Sequence, residues 1–234
     1  MKQKQSFFTA LGGRVKFIGG KYNITSDSVW LAAFAAGAGR SRSPKNRRTI
    51  SVLDVGVGTG GVALCLLEHD TDVIVTGIDV SEQMISECER NAALNGREIE
   101  LIRGDILTWK TNRTFDAVIT NPPYFKGTPR RQNVHHNADL ADWTRACLRR
   151  VKPRGYFYCI VDAAATAEVI AAISAGRAGD INIVPLFGAN EFAERVLISA
   201  RLGARGGAKI MRGLCMNDDR VLREGLTFAK KTIY

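Results

Sequence analysis

From Ile50 onward the apolar positions switch back and forth between two periods. Ile50–Val55 is a short apolar run that ends in a glycine-rich turn, and Val62–Glu68 behind it has helical spacing. Val73–Ile78 is β-branched and buried in character. Ser81–Asn95 returns to helical spacing, with Ser81 as N-cap and Gly96 as the stop. Ile99–Arg103, Phe115–Thr120 and Tyr156–Val161 read as further strands, and Ala138–Arg150 and Ala164–Ala175 as helices. Asp180–Leu186 and Ala193–Arg201 are strands with six residues between them, too few for a crossover helix, so antiparallel pairing is expected. This repetition predicts an α/β fold: a mostly parallel sheet with helices on both faces and an antiparallel hairpin at its end.

The first 49 residues follow a different pattern. Gly12–Gly13 and Gly19–Gly20 bracket the alternating run Arg14–Ile18, a strand or hairpin arm. Ser26 and Asp27 stand as caps before the apolar run Val29–Ala36, which predicts a helix. Gly37–Arg48 holds Gly, Ser, Pro and five Lys/Arg, and reads as a linker. The expected division is a basic strand-and-helix extension over residues 1–49 and a main domain over residues 50–234.

Asp54-Val-Gly56-Val-Gly58-Thr-Gly60-Gly61 joins the first strand of the main domain to its first helix. Glycines there permit a tight turn and let the backbone lie under a flat ligand, which in such sheets binds beyond the carboxyl ends of the strands. The loop satisfies two patterns: the GxGxG of methyl-donor sites and, through Gly56, Gly58 and Gly61, the GxGxxG of dinucleotide sites. Asp79 ends the second strand 23 residues after Gly56, with Val80 beside it, and can accept hydrogen bonds from both ribose hydroxyls of an adenosine. Asp105, after the third strand, can bond an exocyclic adenine amine with Ile106 against the ring, or serve as a helix N-cap. NAD and S-adenosylmethionine (SAM) both need such positions. Asp54 tips the loop towards SAM, because a carboxylate repels a pyrophosphate but favours an ammonium and a sulfonium.

Asn121-Pro122-Pro123-Tyr124 follows the strand Phe115–Thr120. Two prolines in succession donate no backbone hydrogen bond and fix the direction of their carbonyls. The Asn121 side-chain oxygen and the Pro122 carbonyl can then accept both protons of one planar NH2 group, while Tyr124 offers a face for stacking. Such a nitrogen is a poor nucleophile because its lone pair is delocalised. Acceptors that bond it better as it pyramidalises favour the transition state over the ground state.

At these residues the chain resembles a known family, the class I SAM-dependent amino-methyltransferases. Its likeness is nearest to the bacterial transfer-RNA adenine-N6 methyltransferases of the methyltransferase small-domain family, which modify the adenine beside the anticodon of a valine tRNA. The likeness runs through Ser26-Asp27-Ser28-Val29-Trp30-Leu31, the Asp54–Gly60 loop, Asn121-Pro122-Pro123-Tyr124-Phe125, the His136…Trp143…Leu148 segment and Gly176-Arg177-Ala178-Gly179-Asp180. The resemblance implies a Rossmann-like sheet of seven strands, the last antiparallel, and SAM as cofactor. It implies Asp54, Gly56, Gly58, Gly60, Asp79, Val80, Asp105, Ile106 and Asn121 around SAM, and Asn121 to Tyr124 around the target amine.

Charge points to the partner. Thirty-three Lys and Arg against 23 Asp and Glu leave +10, a surplus that suits a polyanion. Lys126, Arg130 and Arg131, then Lys45, Arg47 and Arg48, then Arg14, Lys16 and Lys21 form clusters expected to flank the mouth and grip phosphates of an RNA, a tRNA by resemblance. The run Arg149, Arg150, Lys152 and Arg154 is expected to cap a helix end. His135 and His136 are read as loop polarity or RNA contacts, since the chemistry needs no base.

Five scattered cysteines without a CxxC pair argue against a disulfide framework or a zinc site and suit a reducing cytoplasm. No apolar run approaches the roughly 18 residues of a membrane span, and Met1–Gly13 lacks a signal-peptide core. A cytoplasmic monomer with no metal and no membrane contact is expected. Competing readings are a protein glutamine N5-methyltransferase of release-factor type, a ribosomal-RNA guanine-N2 methyltransferase, a DNA adenine methyltransferase, a NAD-dependent dehydrogenase and a non-catalytic RNA-binding module. Release-factor enzymes usually carry a helical domain ahead of the loop, and only 53 residues precede Asp54. The DNA enzyme needs a target-recognition domain that neither flank has room for, and the guanine enzyme typically has a larger extra domain. The dehydrogenase leaves Asn121–Tyr124 unexplained, and the binding module leaves the cofactor positions unexplained.

Overall fold

The computed structural model describes residues 7–19, 24–36, 48–123 and 139–228. It opens with an antiparallel hairpin, β1 (Phe7–Ala10) and β2 (Val15–Ile18), with Phe7 opposite Ile18 and Ala10 opposite Val15. The helix α1 (Ser26–Ala35) follows. The expected caps lie inside it: Thr25 is the N-cap, and Asp27 sits in the first turn, buried, its carboxylate on Arg195 at 3.0 Å. An acidic residue is favoured in a first turn, so the helix begins earlier than its apolar run.

Strand and helix then alternate as the periodicity predicts. The order is β3 (Ile50–Val55), α2 (Gly61–His69), β4 (Val73–Asp79), α3 (Glu82–Leu94), β5 (Glu100–Arg103) and β6 (Phe115–Thr120). Next come α4 (Leu140–Leu148), β7 (Val151–Asp162), α5 (Thr166–Ala175), β8 (Ala178–Phe187) and β9 (Arg195–Leu202). β10 (Ala208–Ile210), β11 (Leu214–Cys215) and α6 (Asp219–Leu222) complete the described chain. Ser81 caps α3 by accepting the Met84 N–H, as its sequence position suggests.

The main sheet runs β5-β4-β3-β6-β7-β9-β8-β10, with β11 also on β8. β3 to β7 are parallel, and β9 is antiparallel between β7 and β8. The seven strands and the antiparallel hairpin are therefore present, and β10 and β11 extend the sheet beyond them. Two or three residues between glycines are too short to show a period, which is why the sequence did not reveal them.

β7 begins five residues before the expected Tyr156. Its register on β6 shifts between Phe115 opposite Val151 and Ala117 opposite Tyr156, and this bulge, which contains Pro153 and Arg154 at φ 66°, interrupts the alternation. The basic run there is not a helix cap as a whole, which corrects that expectation. Arg149 is the C-cap of α4, Arg150 lies over the Trp109 ring at 5.6 Å, and Lys152 Nζ sits 3.1 Å from Asp116.

Successive residues of β3 face opposite cores, as a doubly covered sheet requires. Ile50 and Val52 join Trp30, Phe17 and Leu64 on the side of α1, α2 and the hairpin. Leu53 and Val55 join Phe157, Trp143 and Ile173 on the side of α4 and α5. Trp30 is fully buried, with its Nε1 donating to the Met216 carbonyl at 2.8 Å. The hairpin and α1 thus share the core of the sheet. Among the described residues no helix is long and apolar enough to cross a membrane, and all five cysteines are free thiols.

Candidate active site

Three neighbouring strands end together. Val55 on β3 stands opposite both Ile78 on β4 and Thr120 on β6, so the loops after them leave the carboxyl edge side by side. A cavity of about 420 Å³ opens there, within the size range of small-molecule sites. Its lining includes Gly56 and Gly58 after β3, Asp79 and Val80 after β4, Asp105 and Ile106 after β5, and Asn121 and Pro123 after β6.

The glycine loop is bent by its own backbone. Gly56 N and Val57 N both donate to the Ile78 carbonyl, at 2.8 and 3.1 Å, and Gly60 N donates to Val57 O. Gly56 has φ 73°, a left-handed conformation that other residues resist. Gly60 has φ 90°, and a Cβ there would come 2.9 Å from Cys88 Sγ.

Asp79 is half committed. One carboxylate oxygen accepts the Gly58 N–H at 3.0 Å and the other the Ser81 N–H at 2.9 Å. A carboxylate offers about four acceptor sites, so two remain for donors in the cavity, such as a pair of vicinal hydroxyls. Asp105 closes a turn, accepting the Leu107 N–H on Oδ1, and lines the cavity; no helix follows it before β6, which corrects the N-cap reading.

Asn121 is anchored through its neighbour. Thr120 Oγ1 donates to the Val55 carbonyl at 2.8 Å and accepts from Trp143 Nε1 at 3.0 Å. All three residues are buried, so this chain of bonds ties the ends of β3 and β6 to α4. Trp143 also lines the cavity, and its ring would lie 3.5 Å from a Cβ on Gly56.

Asp54 stands apart. It is 1% exposed, is not among the cavity-lining residues, and neither carboxyl oxygen makes a hydrogen bond of normal geometry. Burial pushes its pKa up to about 7, against the pull of the Ala63 amide and with a smaller push from the Asp79 charge.

Of the residues singled out in the sequence, Gly56, Gly58, Asp79, Val80, Asp105, Ile106, Asn121 and Pro123 meet around one cavity. Pro122 is half-buried in the same loop but, like Gly60, is not part of the lining. Tyr124, Lys126, Arg130, Arg131, His135, His136, Lys45, Arg47 and Lys21 lie outside the described residues. Arg48 corrects an expectation: it pairs with Asp116 at 2.9 Å, at the amino edge of the sheet, away from the cavity. Arg14 and Lys16 do likewise. Arg14 lies beside Glu68 near the end of α2, and the Lys16 backbone is bonded to Asn95 at the end of α3. Trp143, Ser81 and Met84 line the cavity without having been proposed for it; Ser81 carried a signal as N-cap, whereas Trp143 and Met84 had none in their local sequence.

The residues present fit SAM. Asp79 has spare acceptors for a ribose, Ile78, Val80 and Ile106 provide an apolar seam for a purine, and Asp105 stands at its edge. Among the described residues no group of His, Cys, Asp and Glu could hold a metal ion.

Comparison with known proteins agrees with this geometry. The chain is 28% identical over 141 residues to a tRNA1(Val) (adenine(37)-N6)-methyltransferase of Glaesserella parasuis, covering 56% of each chain. It is 33% identical over 91 residues to a release factor glutamine methyltransferase of Flavobacterium psychrophilum, 38% of this chain and 32% of that one. The first of these matches spans about half the relative's length, the second about a third. Among solved structures, one from Agrobacterium tumefaciens described as a predicted O-methyltransferase superposes with a TM-score of 0.67 at 23% identity, covering 86% of this chain and 97% of the other. A T. thermophilus 16S rRNA N2 methyltransferase in complex with AdoMet and guanosine gives a TM-score of 0.59 at 18% identity, covering 84% and 51%. At such identities these structures establish the fold. The model of the methyltransferase small domain matches residues 42–180, more than half of the 234, and the chain belongs to that family.

Proposed function

We propose that the chain is a SAM-dependent N-methyltransferase whose acceptor is an exocyclic amine, adenine N6 of a tRNA beside the anticodon. One observation carries this reading: Asn121 and Pro123 line the same cavity as Asp79, Asp105 and the glycine loop. Asp79 would hold the ribose, Asp105 with Ile106 the adenine, and the Gly56–Gly58 backbone the remainder of SAM. Bound SAM would supply an activated methyl group on a sulfonium that is its own leaving group.

The protein's part is positioning and electrostatics. The Asn121 side-chain oxygen and the Pro122 carbonyl would accept the two amine protons, bonds that strengthen as the nitrogen pyramidalises. The Thr120–Val55–Trp143 bonds hold the residue before Asn121 in place, so the acceptors need little reorganisation. No general base is assigned.

The net charge of +10 and the tRNA-modifying relatives support RNA as substrate. A second reading, a protein glutamine amide, is supported by the 33% and 37% identical release-factor relatives, because a side-chain amide presents the same planar NH2. Incubation with labelled SAM and either total tRNA or release factor separates the two. Nucleoside mass spectrometry is expected to find N6-methyladenosine; label in the release factor alone would overturn the RNA reading.

A further inference from the structure

The outer edge of the sheet carries a charge pattern that the cavity does not use. Between Glu194 and Asp218 the chain has no acidic residue and five cations: Arg195, Arg201, Arg205, Lys209 and Arg212. Two are occupied. Arg195 bonds Asp27 and Asp162, while Arg201 lies over the Tyr156 ring and donates to the Arg154 carbonyl. Arg205, Lys209 and Arg212 are exposed, and among the described residues none has a carboxylate partner.

These three follow one line. The Gly206 and Gly207 carbonyls accept the Asp180 and Ile181 N–H at the start of β8, Lys209 stands opposite Asn182, and Leu214 stands opposite Leu186 near its end. The segment therefore runs roughly 20 Å along β8, from Asp180 to Leu186 at about 3.3 Å per residue, from the amino edge towards the carboxyl edge that holds the cavity. Phe192 lies in the turn after β8 at that same carboxyl edge and is 69% exposed. β8 is three strands from β6, about 14 Å at the usual strand spacing, so a molecule engaging both must be longer than one nucleotide.

Edge protection explains only part of this. A lysine on an exposed edge strand discourages pairing with another chain, and Lys209 on β10 does so. Arg205 precedes β10 and Arg212 lies between β10 and β11, outside either strand. Unpaired cations in a row, with no acidic residue between them in the chain and the Asp180 carboxylate beside Gly206 as their neighbour on β8, suit a phosphate backbone better than a protein surface.

We propose that this edge is an RNA-binding track, in which Arg205, Lys209 and Arg212 follow the phosphate backbone of the substrate and Phe192 stacks on an unpaired base at the carboxyl edge. The proposal rests on RNA being the substrate. It deepens that reading by giving the RNA a path away from the cavity.

The test measures binding of total tRNA against salt for wild type, R205A/K209A/R212A, the charge-preserving R205K/K209R/R212K, and F192A. The alanine triple is expected to lose about tenfold or more in affinity, and its log–log salt slope should shrink by about 2–3, since each phosphate contributes roughly 0.7–0.9. The charge-preserving triple should keep the wild-type slope. F192A should lose about tenfold with the slope unchanged. SAM affinity and thermal midpoint should match wild type throughout. An alanine triple with wild-type affinity and slope overturns the track. So does a concentration-dependent dimer of the wild type that the triple disperses without any effect on RNA, which would make the edge a self-interface. If no tRNA nucleoside is methylated yet the slope still responds to the triple, the substrate reading fails and the track stands.

Discussion

Two buried aspartates on neighbouring strands, at opposite ends of the sheet, meet opposite treatment. Asp116, 6% exposed at the start of β6, is fully occupied. The Ser51 hydroxyl and amide donate to it at 2.7 and 3.0 Å, and Lys152 and Arg48 lie at 3.1 and 2.9 Å. Burial alone would raise its pKa, but these Ser51, Lys152 and Arg48 bonds hold it well below the ordinary carboxylate value. Asp54, 1% exposed near the end of β3, has no such partners, and burial pushes it up to about 7. The amino edge spends its charges on folding. The carboxyl edge keeps a carboxylate without such partners beneath the glycine loop, at a cost to folding.

Breaking the satisfied end should have the largest effect on stability. Asp116→Ala removes charge-assisted bonds from Ser51 and Lys152 and is expected to cost about 2–3 kcal/mol in denaturant unfolding, with SAM affinity unchanged. Asp79→Ala acts at the functional end. SAM affinity measured by calorimetry should fall about ten- to a hundredfold while tRNA affinity holds, and equal SAM affinity would contradict the ribose assignment.

Asp54→Asn should weaken SAM by about tenfold and yet stabilise the unliganded protein at pH 8. The sign follows from proton binding. A carboxyl raised in the folded state adds stability below its unfolded pKa near 4, and this is lost as pH rises through about 7. The advantage of the Asn variant should therefore vanish near pH 4. Asp116, depressed instead, stabilises above its unfolded pKa, and its contribution is lost only as pH falls through its lowered value. The smallest effect is expected from Thr120→Val, about 1 kcal/mol of stability with a modest fall in kcat, because the Trp143 N–H loses its acceptor.

The grouping of residues at strand ends was legible because glycines, prolines and acidic residues at such turns have few purely structural uses. Asp79, Asp105 and Asn121 reach one cavity since parallel strands in register deliver their following residues to one edge. The same rule exposes the misreading of Arg48. Arg48 lies two residues before β3, so it must stand at the amino edge, opposite the glycine loop that follows β3. Proximity in sequence to the loop concealed that. Trp143 was beyond reach for another reason: its bond to Thr120 spans 23 residues, and no local spacing signals it. Asp54 was visible as a charge, but its burial without partners is a property of the packed core alone.

The central claim is that Asn121 engages the acceptor amine and not the cofactor's binding energy. Single-turnover methylation of tRNA by Asn121→Ala, with SAM affinity measured alongside, tests it directly. Loss of a polar contact worth roughly 1.5–3 kcal/mol in the transition state should slow transfer about ten- to a hundredfold at unchanged SAM affinity. Transfer at the wild-type rate, or a slowing matched by an equal loss of SAM binding, would contradict the account.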